Sequence, residues 1–76
     1  MQLDILTTDK TLFSGEVDSV TLPGSKGQFQ VLNNHAALVS SLDKGVVKIK
    51  AAGNVQAFDI NGGVVEILKN KVVVLA

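Results

Sequence analysis

The sequence predicts an all-β fold, in the form of a small antiparallel two-sheet β-sandwich or flattened barrel. Val, Ile and Thr are abundant, and they occur in short runs separated by Gly, Asn or Asp. Several of these runs alternate apolar and polar residues, which is the pattern of a half-buried strand. With 76 residues and no cysteine, the chain is expected to form a single domain (1–76) that depends on its core for stability.

The first third of the chain predicts two strands. Residues 2–7 alternate in polarity and predict the first strand. Thr8-Asp9-Lys10 is polar and predicts a turn, because such side chains hydrogen-bond to their own backbone. Residues 12–22 predict one long second strand, in which Gly15 is a candidate bulge.

The middle of the chain contains its only proline, at Pro23-Gly24, which predicts a turn. A short strand is predicted over residues 28–32. Residues 33–42, NNHAALVSSL, have no period of two, and their composition favours a loop that includes one helical turn.

Strands resume after Gly45 and continue to the last residue. Val47 and Ile49 are expected to point inward, with Lys48 and Lys50 pointing outward. Asn-Gly supplies the positive φ that tight hairpins need, so Asn61-Gly62-Gly63 predicts a hairpin turn. The remaining elements are a turn at Gly53-Asn54, strands over residues 55–60 and 64–68, and a buried final strand over 72–75, for a total of seven or eight strands.

Composition excludes several classes of function. The seven lysines balance the seven acidic residues, and arginine, tyrosine and tryptophan are absent. A nucleic-acid partner is therefore not expected, since phosphate contacts need a basic surface and base stacking needs aromatic rings. No apolar run reaches the ~20 residues of a membrane helix, and the N-terminus lacks the pattern of a signal peptide. We therefore expect a soluble protein that works where it is made.

The high apolar content points to a protein partner. Hydrophobic residues make up 46% of the chain and charged residues 18%, against a usual charged share of about 25%. In so small a domain the surplus apolar residues have to lie partly on the surface, and a surface patch of this kind usually marks a protein contact.

Signals for catalysis, metal binding or phosphate binding are weak. His35 is the only histidine, and nothing in the sequence places a carboxylate and a nucleophile beside it. One histidine and scattered acids do not make a metal site. The GSKG stretch at residues 24–27 is followed by a strand pattern, so it lacks the helix of a phosphate-binding loop. No catalytic residue, metal or cofactor is expected. One alternative is a lipoyl-type carrier, because Asp9-Lys10 is similar to the lysine turn of lipoyl domains.

Two long segments carry a family resemblance. LFSGEVDSVTLPGSKGQFQVLNNHAALVSSLDKG (residues 12–45) and GGVVEILKNKVVVLA (residues 62–76) resemble the β-sandwich domain of the epsilon subunit of F-type ATP synthase. The order and spacing of the matches carry the resemblance more than any one motif does. The chain departs from the family pattern where Gln28 replaces a usual acid, Asn33-Asn34 replaces Pro-Gly and Ala37 replaces a proline.

The resemblance implies a non-catalytic subunit of the central rotor, which docks on the gamma subunit and the c-ring and couples ion flow to ATP synthesis. It implies no cofactor and a peripheral location at the cytoplasmic face of the bacterial inner membrane, held there only through the complex. It also implies that the chain is a short form without the C-terminal helical hairpin of many relatives. An unrelated β-sandwich adaptor is a further alternative. The residues expected at the gamma contact are Thr7, His35, Val39, Ser40 and Leu42, and those expected at the c-ring contact are Ser25, Lys26, Gln28, Asn33 and Asn34.

Overall fold

Seven strands and no helix form the fold in the computed structural model, which describes residues 1–76. The predicted all-β class is confirmed. The strands are β1 (Gln2–Leu6), β2 (Thr11–Glu16), β3 (Ser19–Gly24), β4 (Gly27–Leu32), β5 (Leu38–Ala51), β6 (Asn54–Leu68) and β7 (Lys71–Leu75).

The strands hydrogen-bond in the order β2-β1-β7-β6-β5-β3-β4. β2 and β4 are the edge strands, each paired on one side only, so the sheet is not closed into a barrel. The predicted antiparallel arrangement holds for five of the six pairings. The exception is the pair β1 and β7, which run parallel. This pairing joins the two ends of the chain, and a sequence pattern of local turns cannot reveal it.

The long strands β5 and β6 bend halfway, and the bend folds the sheet into two layers. Leu42 and Val47 of β5 are five positions apart, an odd number, yet both are buried, and the same holds for Ile60 and Val65 of β6. A straight strand places such residues on opposite faces, so each strand turns over between them. Seven flat strands would be about 33 Å wide, whereas the molecule measures 26 × 23 × 19 Å.

The core lies between the two layers. Its 14 buried residues come from every strand except β2, together with one residue of the β2–β3 connection. The predicted orientation of β5 is confirmed, because Val47 and Ile49 are buried and Lys48 and Lys50 are exposed. The core residues are Leu3, Ile5, Val17, Val20, Leu22, Val31, Leu42, Val47, Ile49, Ile60, Val65, Ile67, Val72 and Val74.

The predicted hairpin at Asn61-Gly62-Gly63 is wrong, because these residues lie inside β6. Gly62 and Gly63 have φ values of +122° and +140°. Such values suit glycine in a turn, and here they bend a continuous strand instead. The Asn-Gly signal was therefore a signal for an unusual backbone conformation and not for chain reversal.

The predicted strand over residues 12–22 is two strands that belong to different layers. Between them, the Val17 amide donates to the Met1 carbonyl at 2.9 Å, and the Asp18 amide donates to the Lys50 carbonyl at 2.7 Å. Gly15 pairs regularly with Leu3, and the irregularity lies at Leu12, the extra β2 residue opposite Ile5 and Leu6. The chain therefore crosses from one layer to the other at this point.

Two other predicted boundaries are corrected. Pro23-Gly24 ends β3, and the turn is Ser25-Lys26. The predicted loop over residues 33–42 is confined to residues 33–37, since β5 begins at Leu38 and pairs there with β6. The sequence did not show the alternation of a strand here because the neighbouring Leu38 and Val39 are both apolar and both exposed. At this end β5 pairs with β6 but not with β3.

Candidate interaction surfaces

The start of β5 contributes three of the residues expected at a gamma contact, and they differ in exposure. Val39 is 66% exposed. Ser40 is half-buried, and its hydroxyl donates to the Ser41 carbonyl at 3.2 Å. Leu42 is only 5% exposed and belongs to the core. It therefore has almost no surface to offer a partner, and we omit it from the proposed contact.

Thr7 closes the turn after β1. Its hydroxyl oxygen accepts hydrogen bonds from the amides of Asp9 and Lys10, at 3.3 and 3.1 Å, and donates to the Lys10 carbonyl at 3.1 Å. These bonds fix the turn that the sequence predicted at Thr8-Asp9-Lys10. Thr7 therefore has a structural role whether or not a partner contacts it.

The Ser25-Lys26 turn is fastened to β5. The Ser25 amide donates to the Ser41 carbonyl at 3.1 Å, and the Ser41 hydroxyl donates to the Ser25 hydroxyl at 3.0 Å. Lys26 and Gln28 are exposed beside these contacts. The turn and the start of β5 line one shallow cleft, whose residues are Gly24, Ser25, Lys26, Gly27, Gln28, Phe29, Leu38, Val39, Ser40 and Ser41. Residues that the sequence assigned to two separate contacts thus lie side by side.

Asn33 and Asn34 lie at the opposite end of β4 from the Ser25-Lys26 turn. The side-chain oxygen of Asn33 accepts a hydrogen bond from the Met1 amine at 3.0 Å. The Asn34 amide donates to the Asn70 side-chain oxygen at 3.0 Å, and Asn34 has a φ of 63°. The rise of a strand separates the two ends of β4 by about 20 Å. The five residues expected at the c-ring contact therefore form two groups.

His35 lies in the short loop between β4 and β5 and is half-buried. Its Nδ1 lies 2.7 Å from the Ala36 carbonyl oxygen, which accepts a hydrogen bond from the ring. This local bond orients the imidazole within the loop, so its contact with a partner would depend on the loop as a whole.

Sequence reasoning predicted an apolar surface patch but not its position, and we call the exposed apolar area the apolar face. It is the outer surface of the layer that contains β1, β7 and the second half of β6. On β7, Val72 and Val74 are buried but Leu75 is 54% exposed, so the predicted burial of the whole final strand is wrong. The available signal was the surplus of apolar residues. The apolar face consists of the exposed Val39, Val64, Leu68 and Leu75 and the half-buried Val73, and the exposed Glu66 lies between Val39 and Val73.

Charged groups around the apolar face form hydrogen bonds within the surface. The Ser14 hydroxyl donates to the Asp4 carboxylate at 2.6 Å, and the Gln2 amide donates to it at 3.2 Å. These bonds, chiefly that from Ser14, hold the pKa of Asp4 below its ordinary value. No group of three or more His, Cys, Asp or Glu side chains is arranged to hold a metal ion. The surfaces therefore present exposed apolar side chains and hydrogen-bonded polar side chains.

The fold is that of a small all-β domain with a two-layer sheet. A family model described as "ATP synthase, Delta/Epsilon chain, beta-sandwich domain" matches residues 1–76, and the chain therefore belongs to this family. The family resemblance seen in the sequence is confirmed.

Curated relatives that are each named ATP synthase epsilon chain match nearly the whole of this chain. The ATP synthase epsilon chain of Campylobacter jejuni (strain RM1221) is 46% identical over an alignment of 77 positions, which covers 100% of this chain and 60% of the relative. That of Sulfurimonas denitrificans is 45% identical over 76 residues, covering 99% of this chain and 58% of the relative. That of Leptospira interrogans (serovar Lai) is 37% identical over 75 residues, covering 99% and 59%. The chain thus spans about 60% of the length of these relatives.

Two solved structures share the fold. A chain of the Euglena gracilis mitochondrial ATP synthase structure, described as OSCP/F1/c-ring, superposes with a TM-score of 0.91 at 22% identity over 97% of this chain and 48% of that one. A chain of the Tetrahymena thermophila mitochondrial ATP synthase central stalk and c-ring superposes with a TM-score of 0.83 at 18% identity, over 97% and 60%. A helix with the length and hydropathy needed to span a membrane is not present in the structure.

Proposed function

We propose that this chain is a non-catalytic part of the central rotor of an F-type ATP synthase, where it docks on the gamma subunit and the c-ring and transmits rotation between them. The observation that carries the proposal is the family match over all 76 residues. The match favours a rotor role over a lipoyl carrier or an unrelated adaptor. The proposed location is the cytoplasmic face of the bacterial inner membrane, where the chain is held through the complex.

We assign the gamma contact to the apolar face and its borders. Thr7 directly follows Leu6, which pairs with Leu75, and Val39 lies at the far side of the same face. Two of the residues expected at the gamma contact thus flank one exposed apolar area. Burial of such an area against a permanent partner is favourable by about 25 cal/mol per Å². Ser40 directly follows Val39, and His35 lies four residues before Val39 in the β4–β5 loop; both are included in the proposed contact.

We assign the c-ring contact to the Ser25-Lys26 turn and Gln28, with Asn33 and Asn34 as a second, separate group. The two hydrogen bonds from Ser25 and Ser41 hold the turn against β5. A turn fastened in this way can carry load from one partner to the other, because the two proposed contacts share the cleft at the start of β5.

A binding titration with a matched pair of variants tests the gamma contact. Val39 and Val55 are exposed to nearly the same degree, 66% and 68%, but Val55 lies on the other layer. We expect Val39→Lys to weaken binding to the cognate gamma subunit by at least about tenfold, because burial of a valine is worth about 1.5–3 kcal/mol. Val55→Lys serves as the control. Equal affinity of both variants and the parent would refute the assignment of the apolar face.

A charge-reversal pair tests the c-ring contact. We expect Lys26→Glu combined with Gln28→Lys to reduce ATP-driven ion pumping in vesicles that contain the assembled complex, while ATP hydrolysis continues. Lys48→Glu, which reverses an exposed charge on β5 in the same layer as the turn, is the control. Unchanged pumping by the double variant would remove the turn from the c-ring contact.

A further inference from the structure

We infer that Glu66 binds a basic side chain of the partner that covers the apolar face, and that this ion pair sets the specificity of the contact. The pairing rests on the gamma contact proposed above, and it names the chemistry that the partner brings to that contact. Glu66 is the one charged residue within the apolar face. Two features of Glu66 lead to this role: the side chains that surround it and the lack of a partner for its carboxylate within the chain.

Four apolar side chains enclose Glu66 on the outer surface. Val39 of β5 and Val73 of β7 pair with it from its two sides, and the Cβ atoms of paired residues lie about 4.5–5.5 Å apart. Val64 and Leu68 lie two residues before and after it on β6, about 7 Å away along the strand and on the same outer face. A partner that covers these four side chains therefore also covers the Glu66 carboxylate.

A second carboxylate on this surface has its hydrogen bonds satisfied by the chain itself. Asp4 lies on β1, two strands from β6, and accepts hydrogen bonds from Ser14 and Gln2 at 2.6 and 3.2 Å. The Glu66 carboxylate has no hydrogen bond or ion pair within the chain. Glu66 thus differs from Asp4 in being free to bind an external donor.

The nearest lysines of the chain do not pair with Glu66. Lys69 and Lys71 belong to the β6–β7 connection and its end, and they line a shallow cleft together with Glu66. Lys71 pairs with Leu68 and is therefore a diagonal neighbour of Glu66, at about 7–8 Å. Neither lysine forms an ion pair with it. Exposed lysine–carboxylate pairs are weak in any case, so these lysines leave the carboxylate available to a partner.

Burial of the apolar face makes a cation necessary. Removal of water from a carboxylate is unfavourable unless the carboxylate gains a cation or hydrogen-bond donors in exchange. An arginine of the partner suits this role, because its guanidinium binds a carboxylate through two parallel hydrogen bonds. An entirely apolar or acidic surface would leave Glu66 unpaired and would be rejected. The apolar neighbours therefore supply the contact area, and Glu66 selects which surface can use it.

Titrations with the cognate gamma subunit at low and high salt test this pairing. We expect Glu66→Gln, which keeps the side-chain size and removes the charge, to bind at least tenfold more weakly at low salt and to lose most of the salt dependence of the parent. Asp59→Asn removes an exposed acid of β6 on the other layer and is the matched control, with parental affinity expected. Equal or tighter binding by Glu66→Gln would overturn the inference, because removal of an unpaired charge from a contact relieves a desolvation cost.

A combined variant tests whether the cation belongs to the partner. The effect of Glu66→Gln should persist in a chain that also carries Lys69→Gln and Lys71→Gln. If the effect vanished in that background, the cation would be a lysine of this chain and the inference would be wrong.

Val39→Lys separates this inference from the proposed function. Parental affinity of Val39→Lys would mean that gamma does not cover the apolar face, and the gamma assignment and the Glu66 pairing would fail together. If Val39→Lys weakened binding while Glu66→Gln did not, the gamma contact would stand and only the pairing with Glu66 would fail.

Discussion

Replacement of Gly63 by alanine tests the bend in β6. Gly63 has a φ of +140°, a conformation that costs a residue with a side chain about 1–3 kcal/mol. A Cβ atom there would also overlap the Leu75 carbonyl oxygen and lie 3.0 Å from the Ala76 Cα. Both neighbours are backbone atoms of β7 and its end, so the sheet itself would have to move.

Two other glycines provide a graded comparison. Gly27 has a similar φ of +125°, but a Cβ there would meet nothing within 4 Å, so its replacement measures the conformational cost alone. Gly62 is intermediate, with a φ of +122° and the Leu42 carbonyl oxygen 3.3 Å from the added Cβ. With about 1–3 kcal/mol for overpacking, we expect Gly63→Ala to lower the free energy of unfolding by about 2–6 kcal/mol and Gly27→Ala by about 1–3.

Urea denaturation of the three variants measures these free energies, provided that the slope with urea concentration is unchanged. A domain of this size has a total stability of about 4–11 kcal/mol, so Gly63→Ala is expected to lose a large share of it. The order of destabilisation should be Gly63→Ala, then Gly62→Ala, then Gly27→Ala. If Gly63→Ala destabilised the domain no more than Gly27→Ala, the close approach of β6 to β7 would not constrain the fold.

Three further substitutions test the core, the surface carboxylate and the fastened turn. Leu22→Ala, at a position with 0% exposure, should cost about 2–5 kcal/mol in thermal unfolding. Ser14→Ala should lower stability at pH 7 and the deficit should shrink below about pH 4, because the contribution of a depressed Asp4 pKa is complete above its unfolded-state pKa of about 3.9 and is lost as the pH falls through the folded-state pKa. A pH-independent deficit would contradict this linkage. Ser41→Ala, which removes the bond to Ser25, should cost about 0.5–1.5 kcal/mol in urea denaturation, and no measurable loss would mean that the turn holds without it.

The sequence predicted the local features of the fold well, because alternation and turn chemistry act over a few residues. The inward Val47 and Ile49, the turn at Thr8-Asp9-Lys10 and the all-β class follow from such local signals. The bend at Gly62-Gly63 was predicted as a turn, since the sequence shows which backbone conformation is allowed but not whether the chain reverses there. The parallel pair β1 and β7 joins residues from opposite ends of the chain, and no local pattern encodes it.

The candidate surfaces were harder to predict, because they depend on how the bent strands bring distant residues together. Val39 and Lys26 share a cleft only because β5 bends and the Ser25-Lys26 turn is bonded to Ser41. Leu42 is a predicted contact residue that the fold removes from the surface. It lies three residues from Val39, and the alternation of the strand buries it, so the contact predicted for this segment is not proposed for Leu42.

The bend also gives a physical reason why the two proposed contacts act as one unit. The start of β5 lies in the layer that carries the apolar face, whereas the Ser25-Lys26 turn belongs to the layer of β3 and β4. The backbone bond from Ser25 to Ser41 joins these layers at the cleft. Force applied to the turn would therefore reach the apolar face through a hydrogen-bonded sheet and not through a flexible loop, which is the mechanical property that a rotor coupling element requires.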